Sequence, residues 1–157
     1  MYQRLRTLAS CGLITLAVAA CSGDPYLAAL EADPMASYEA EELELFNVIS
    51  EPRVEDQFIT GGDSVPWHLR QYEVAQREAA DAFADAVAFA EANQWVGESD
   101  LMPDPTEERF VGAKDLGVGR GRIFIRVDRD PDEVDDPDLA VLNISLAFSG
   151  ISDPDDN

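Results

Sequence analysis

The chain has 157 residues, 32 of them acidic against 11 lysines and arginines, for a formal net charge of −21 at pH 7. So acidic a molecule repels nucleic acid and anionic lipid, so neither is expected as a partner held by charge. His68 is its one histidine, which excludes a multi-histidine zinc site and leaves any imidazole-based catalysis to a single residue.

At the N-terminus, Arg4 and Arg6 precede an apolar stretch from Leu8 to Ala20, with no acidic residue nearby. Basic start, apolar run and small residues are the secretory pattern. The run is too short to span a bilayer core, which takes about 20 apolar residues. Val18-Ala19-Ala20-Cys21 sets an aliphatic residue and two small ones before a cysteine. This resembles the lipobox of bacterial lipoproteins, and the resemblance covers the first 21 residues. It implies cleavage before Cys21, with a thioether-linked diacylglycerol and an N-acyl chain such as palmitate on that residue. Leu8-Ala9-Ser10-Cys11 fits the same four-residue pattern, but its apolar run is far too short. Two or more acyl chains anchor stably where one is marginal. The start Cys21-Ser22-Gly23 looks like that of many actinobacterial lipoproteins, which implies the extracytoplasmic face of the cell membrane. In a Gram-negative envelope, Ser22 after the cysteine implies the outer membrane. Cys11 would leave with the signal and Cys21 would be acylated, so no thiol would remain for a disulfide, a metal or nucleophilic attack.

Residues 1–20 are thus expected to be signal peptide, 21–40 a lipidated tether, 41–149 a domain and 150–157 an acidic tail. In the tether, Gly23, Pro25 and Pro34 interrupt any long element, with room for a short helix from Tyr26 to Glu31. Leu43 to Ile49 reads as a strand, with Leu43, Leu45, Asn47 and Ile49 on one face and Phe46 and Val48 on the other. Glu51-Pro52 ends it, and a loop runs over 53–63. Ser64 as N-cap and Pro66 in the first turn then open a predicted long helix from Trp67 to about Asn93. Its apolar stripe would be Leu69, Tyr72, Ala79, Phe83, Val87 and Ala90, and Glu73 and Arg77 would pair at i,i+4. The many alanines predict close packing on a sheet. Trp95 and Val96 fold back onto the core, and an acidic loop covers 97–107. Phe110 to Lys114 is a predicted strand, 117–121 a glycine-rich turn. Arg122 to Val127 alternates, with Ile123, Ile125 and Val127 opposite Arg122, Phe124 and Arg126. Leu139 to Phe148 alternates too, with Leu142, Ile144, Leu146 and Phe148 inward and Val141, Asn143 and Ser145 outward. The expected fold class is α+β: one long helix packed on a small antiparallel sheet, in the order strand-helix-strand-strand-strand.

Several residue groups are candidates for function. Six basic residues fall between 109 and 129: Arg109, Lys114, Arg120, Arg122, Arg126 and Arg129. Arg120, Arg122, Phe124 and Arg126 form the candidate partner-binding face, suited to an anionic ligand or an acidic protein. Neutralisation by nearby carboxylates is the competing reading. Asp128, Asp130 and Asp132 match the first three ligand positions of an EF-hand loop, making them weak calcium candidates. The match then fails, with Glu133 where the loop needs glycine and Leu139 where it needs glutamate. Gly117, Gly119 and Gly121 precede a strand, not the helix a phosphate loop requires. His68 lacks an identifiable nucleophile or partner, and no catalytic set stands out. The expected function is a non-enzymatic binding or accessory module of the cell envelope, with the membrane and an envelope protein as partners and no cofactor beyond the lipid. The alternatives are a small hydrolase using paired carboxylates, or a calcium-responsive envelope protein.

Overall fold

The computed structural model describes residues 23–52, 65–98, 108–130 and 136–148. The signal stretch, Cys21, the loop 53–63, most of the loop 97–107, Asp132 and the tail 150–157 lie outside the described residues.

The fold is α+β, with two helices packed on one face of an open six-stranded antiparallel sheet. In chain order the elements are α1 (Pro25–Glu31), a 3₁₀ turn (Pro34–Ser37), β1 (Glu44–Glu51), β2 (Trp67–Ala75), α2 (Ala79–Ala92), β3 (Val96–Gly97), β4 (Arg109–Asp115), β5 (Arg120–Asp128) and β6 (Leu139–Phe148). The strand order is β1-β2-β6-β5-β4-β3. None of the described helices is long and apolar enough to cross a membrane.

Residues 67–75 differ most from expectation. They form strand β2, so the predicted long helix is only its second half, α2. The side chains alternate as a strand requires: His68, Arg70, Tyr72 and Val74 are buried, and the residues between them are half-buried. Nine residues pair with β6 and seven with β1, so β2 is a central strand hydrogen-bonded on both sides. Ladder pairing on both edges outweighs a local helical preference worth only tenths of a kcal/mol per residue. Glu73 therefore lies on the sheet, and Arg77 pairs with its neighbour Glu78.

In α2 the alanines act as expected. Ala79, Ala86 and Ala90 are fully buried, which lets the helix backbone lie close over β5 and β6. The helix ends in a Schellman motif. Gln94 takes a left-handed conformation at φ 71°, its N–H donates to the Glu91 carbonyl, and the Trp95 N–H donates to the Ala90 carbonyl. The motif turns Trp95 back into the core, where 1% of it is exposed.

The second difference is at the N-terminal end. Residues 25–38 are part of the folded core and do not form a tether. Asp24 caps α1 through the N–H groups of Tyr26 and Leu27. Leu30 and Met35 are fully buried, and the Tyr26 ring meets Phe148 edge-on at 5.1 Å. Asp33 fastens the 3₁₀ turn: its carboxylate accepts from Met35 N–H, from Trp95 Nε1–H at 3.2 Å and from Lys114 Nζ at 2.6 Å. The domain thus begins at Pro25 and not at 41.

The remaining strands fall where alternation placed them. In β1, a register irregularity between Leu45 and Asn47 breaks the simple alternation. Leu45 lies opposite Tyr72 on the helix side, whereas Asn47 and Ile49 lie opposite Gln71 and Leu69 on the other face. At the β4–β5 turn, Gly117 has φ +81°, a conformation that favours glycine. At Gly121 a Cβ would stand 2.6 Å from Leu116, so the strand needs glycine there to pass beneath that side chain.

Candidate functional site

The helices cover one face of the sheet. The register on the other face builds rows of side chains that run across the strands. One row is polar: Asn47, Gln71, Asn143, Arg126 and Arg109, one from each of β1, β2, β6, β5 and β4. The amides are linked, with Asn47 Nδ2 donating to Gln71 Oε1 at 2.7 Å and Gln71 Nε2 donating to Asn143 Oδ1 at 2.8 Å. The next row is mainly apolar: Ile49, Leu69, Ser145, Phe124 and Val111. Trp67 stands one row further, its indole N–H donating to Glu51 at 2.8 Å. Where these rows meet there is an open depression of about 760 Å³, lined among others by Trp67, Leu69, Phe124, Asn143, Arg126 and Arg109. That volume is in the range of small-molecule sites.

Arg109 and Arg126 are direct cross-strand partners. Like charges placed so cost about 0.2–1 kcal/mol. Among the described residues neither has a hydrogen-bond or ion-pair partner. Their neighbours do. Arg129 clamps Glu108 with two hydrogen bonds and donates to the Gln76 carbonyl at 2.9 Å. Lys114 is held by Asp33.

The expected binding face therefore divides. Phe124 and Arg126 line the depression, whereas Arg120 and Arg122 gather on Glu98 at the far end of β5. Arg120 reaches Glu98 at 2.6 Å; Arg122 Nε lies 3.2 Å from the other carboxylate oxygen, an ion contact without hydrogen-bond alignment. Trp67, Leu69 and Gln71 were not anticipated, because a helical reading of 67–75 scatters them around a cylinder. The alternation of that segment was the signal that collects them on one face.

Glu108 is the one carboxylate among the described residues lining the depression, and Arg129 occupies it. No group of three or more metal-binding side chains occurs among the described residues. Asp128 and Asp130 are at the end of β5, where Asp128 accepts from the Asp130 N–H.

On the opposite face, His68 is 5% exposed and its Nδ1 lies 2.7 Å from Ser50 Oγ. Its Nε2 is buried without a hydrogen bond. Burial pushes the imidazole below its usual value and nearby Arg70 adds to this, while the Ala36 carbonyl and Glu31 act the other way. The folded protein thus prefers neutral His68, and the unfolded chain takes up the proton first. The resulting stability is complete above the usual histidine value of about 6.5 and is lost as pH falls from there through the folded value. Because His68 is the only histidine, thermal melts of wild type and His68→Gln between pH 7.5 and 5.5 should differ in slope, with the wild type falling more steeply towards acid. Parallel curves would show that the imidazole carries no such preference.

No protein-family model, curated protein or solved structure matches this chain.

Proposed function

We propose that the chain is a lipid-anchored protein of the bacterial cell envelope whose domain is a non-enzymatic binding module, acting through the sheet face opposite the two described helices. The observation that carries this reading is the depression in that face. In a chain with 32 acidic residues, it presents two arginines that have no carboxylate partner among the described residues, beside Phe124, Leu69 and Trp67. These side chains supply binding groups: guanidinium donors, an amide row and aromatic surface.

Cys21 is the anchor in this reading. Since α1 begins at Pro25, four residues from Cys21 span at most about 14 Å, so the domain sits against the membrane rather than on a long stalk. An acidic domain held that close keeps off anionic lipid and stays open to partners in the same compartment. The test is crosslinking in cells of the native lipidated protein, with mass spectrometry of what co-purifies. A stoichiometric envelope component should be captured by wild type and lost from Arg109→Glu/Arg126→Glu. Cys21→Ala should move the protein out of the membrane fraction. Capture unaffected by the arginine changes would remove the sheet face from the function, and membrane retention of Cys21→Ala would remove the lipid.

A further inference from the structure

We propose that the Arg109–Arg126 pair seats the oxyanion head of an amphipathic organic anion whose flat apolar body lies along Phe124 and Leu69 towards Trp67. This rests on the binding-module reading and names the ligand class for the same face.

Charge pairing across the molecule points to it. Acidic residues outnumber basic ones about three to one, and the nearby cations are taken up: Arg120 and Arg122 by Glu98, Arg129 by Glu108, Lys114 by Asp33. Each of these four neighbouring cations has a carboxylate partner. By contrast, two arginines are set side by side in register, with no acidic partner among the described residues, on the wall of the depression. An anion bridging both guanidinium groups relieves their opposition and gains paired N–H···O bonds.

The surroundings define the rest of the ligand. Next to Arg126 in the polar row is Asn143, 7% exposed, its carbonyl already used by Gln71. Among the described residues its NH₂ reaches only the Val141 carbonyl, at a long 3.4 Å, and so retains donor capacity towards an oxyanion. The adjoining row offers Phe124 and Leu69 as an apolar floor, with Trp67 beyond. Head and body of the ligand thus meet different rows, two residues apart along each strand, or roughly 7 Å. The net charge of the molecule opposes anions at long range, and the register sets Glu73 and Asp128 one row beyond the polar row on this face, so the two arginines act on the head group at contact distance.

The experiment is calorimetric titration of residues 22–157, and of the full lipidated protein in detergent, with three ligands sharing one ring system: 2-naphthoate, 2-naphthyl phosphate and neutral 2-naphthol. Both anions should bind one to one, at least tenfold more tightly than 2-naphthol. Arg109→Gln/Arg126→Gln should abolish that preference and leave 2-naphthol unchanged. The ratio of the two anions then distinguishes a carboxylate head from a phosphate head. The double variant should melt no lower than wild type, since it relieves a like-charge pair. Equal affinity for 2-naphthol, an unchanged preference in the double variant, or a marked fall in its melting temperature would each overturn the proposal. If the naphthyl anions fail to bind but the crosslinked envelope partner still depends on the two arginines, the anion seat is wrong and the binding-module reading stands. A concentration-dependent dimer that the double variant dissolves would assign the face to a second copy of the chain, and would overturn the proposal too.

Discussion

Asp33→Ala should cost about 3–5 kcal/mol of stability and lower the melting temperature by about 10–20 °C. Asp33 is buried, with 1% of its side chain exposed, and it satisfies three donors at once. One oxygen accepts from the Met35 N–H of the 3₁₀ turn and from the Trp95 indole, the other from the Lys114 ammonium. The carboxylate therefore ties together the N-terminal segment, the residue following α2 and strand β4. Its removal leaves Lys114, 18% exposed, without its counter-charge and leaves two buried N–H groups without acceptors. Such losses are costly because each group keeps its desolvation penalty after its partner is gone. Lys114 also stands 5.7 Å above the Trp95 ring, so the site is coupled through a third contact. Replacing both charges, as in Asp33→Leu/Lys114→Met, should cost clearly less than the sum of the single changes. Chemical denaturation of the four proteins measures the coupling. Additive losses, or a single-variant loss below about 1 kcal/mol, would show that the charge is solvated and does not organise the core.

The second expectation concerns the chain's first folded segment. A protein starting at residue 39 should show no cooperative thermal transition. Leu27, Leu30, Met35 and Tyr38 are all buried in the full chain. At roughly 1.5–3 kcal/mol for each large apolar side chain, their burial is comparable to the whole stability of about 5–15 kcal/mol of a domain this size. The deletion also strips polar partners from the sheet. Arg70, buried in β2, donates to the Ala36 carbonyl at 2.8 Å and to the Tyr72 hydroxyl at 2.6 Å, and that hydroxyl donates to the Tyr38 carbonyl. Without residues 36–38, a buried guanidinium faces open space. A graded check is Leu30→Ala, expected to cost about 2–5 kcal/mol while the fold survives. A sharp melt of the 39–157 protein near the full-length value would instead make the segment an accessory to an independent sheet.

Both expectations concern residues for which local sequence was a poor guide. Between 22 and 40, prolines and small residues suggest a linker, because punctuation by Pro25 and Pro34 looks the same whether a segment is solvated or starts two short helical pieces. Asp24 and Asp33 are caps in the structure, each just before a proline, a pattern visible in the sequence. What assigns the segment to the core is the partner of each buried side chain, and those partners lie far along the chain: Phe148 for Tyr26, Trp95 and Lys114 for Asp33.

The same holds for the candidate site. Arg126 and Phe124 were legible because β5 alternates cleanly and both fall on its polar face. Arg109 was legible as part of a basic cluster, but its position opposite Arg126 depends on the β4–β5 register. Trp67, Leu69 and Gln71 were hidden by a conflict of periodicities: Leu69, Tyr72 and Phe83 also fit helical spacing, and no glycine or proline separates them. Only the neighbouring strands β1 and β6 decide for the extended form.

By itself, the sequence determined the α+β class, strands β1, β4, β5 and β6, the alanine-rich packing surface of α2 and the strong negative charge. Each depends on periodicity or composition, which are local properties of the chain. The tertiary structure alone decided that 67–75 is a central strand, that the core begins at Pro25, that Arg120 and Arg122 go to Glu98, and that Arg109 and Arg126 are left facing each other. Those outcomes depend on strand order and register, which bring together residues 16 to 122 positions apart, and no short window along the chain contains both members of such a pair.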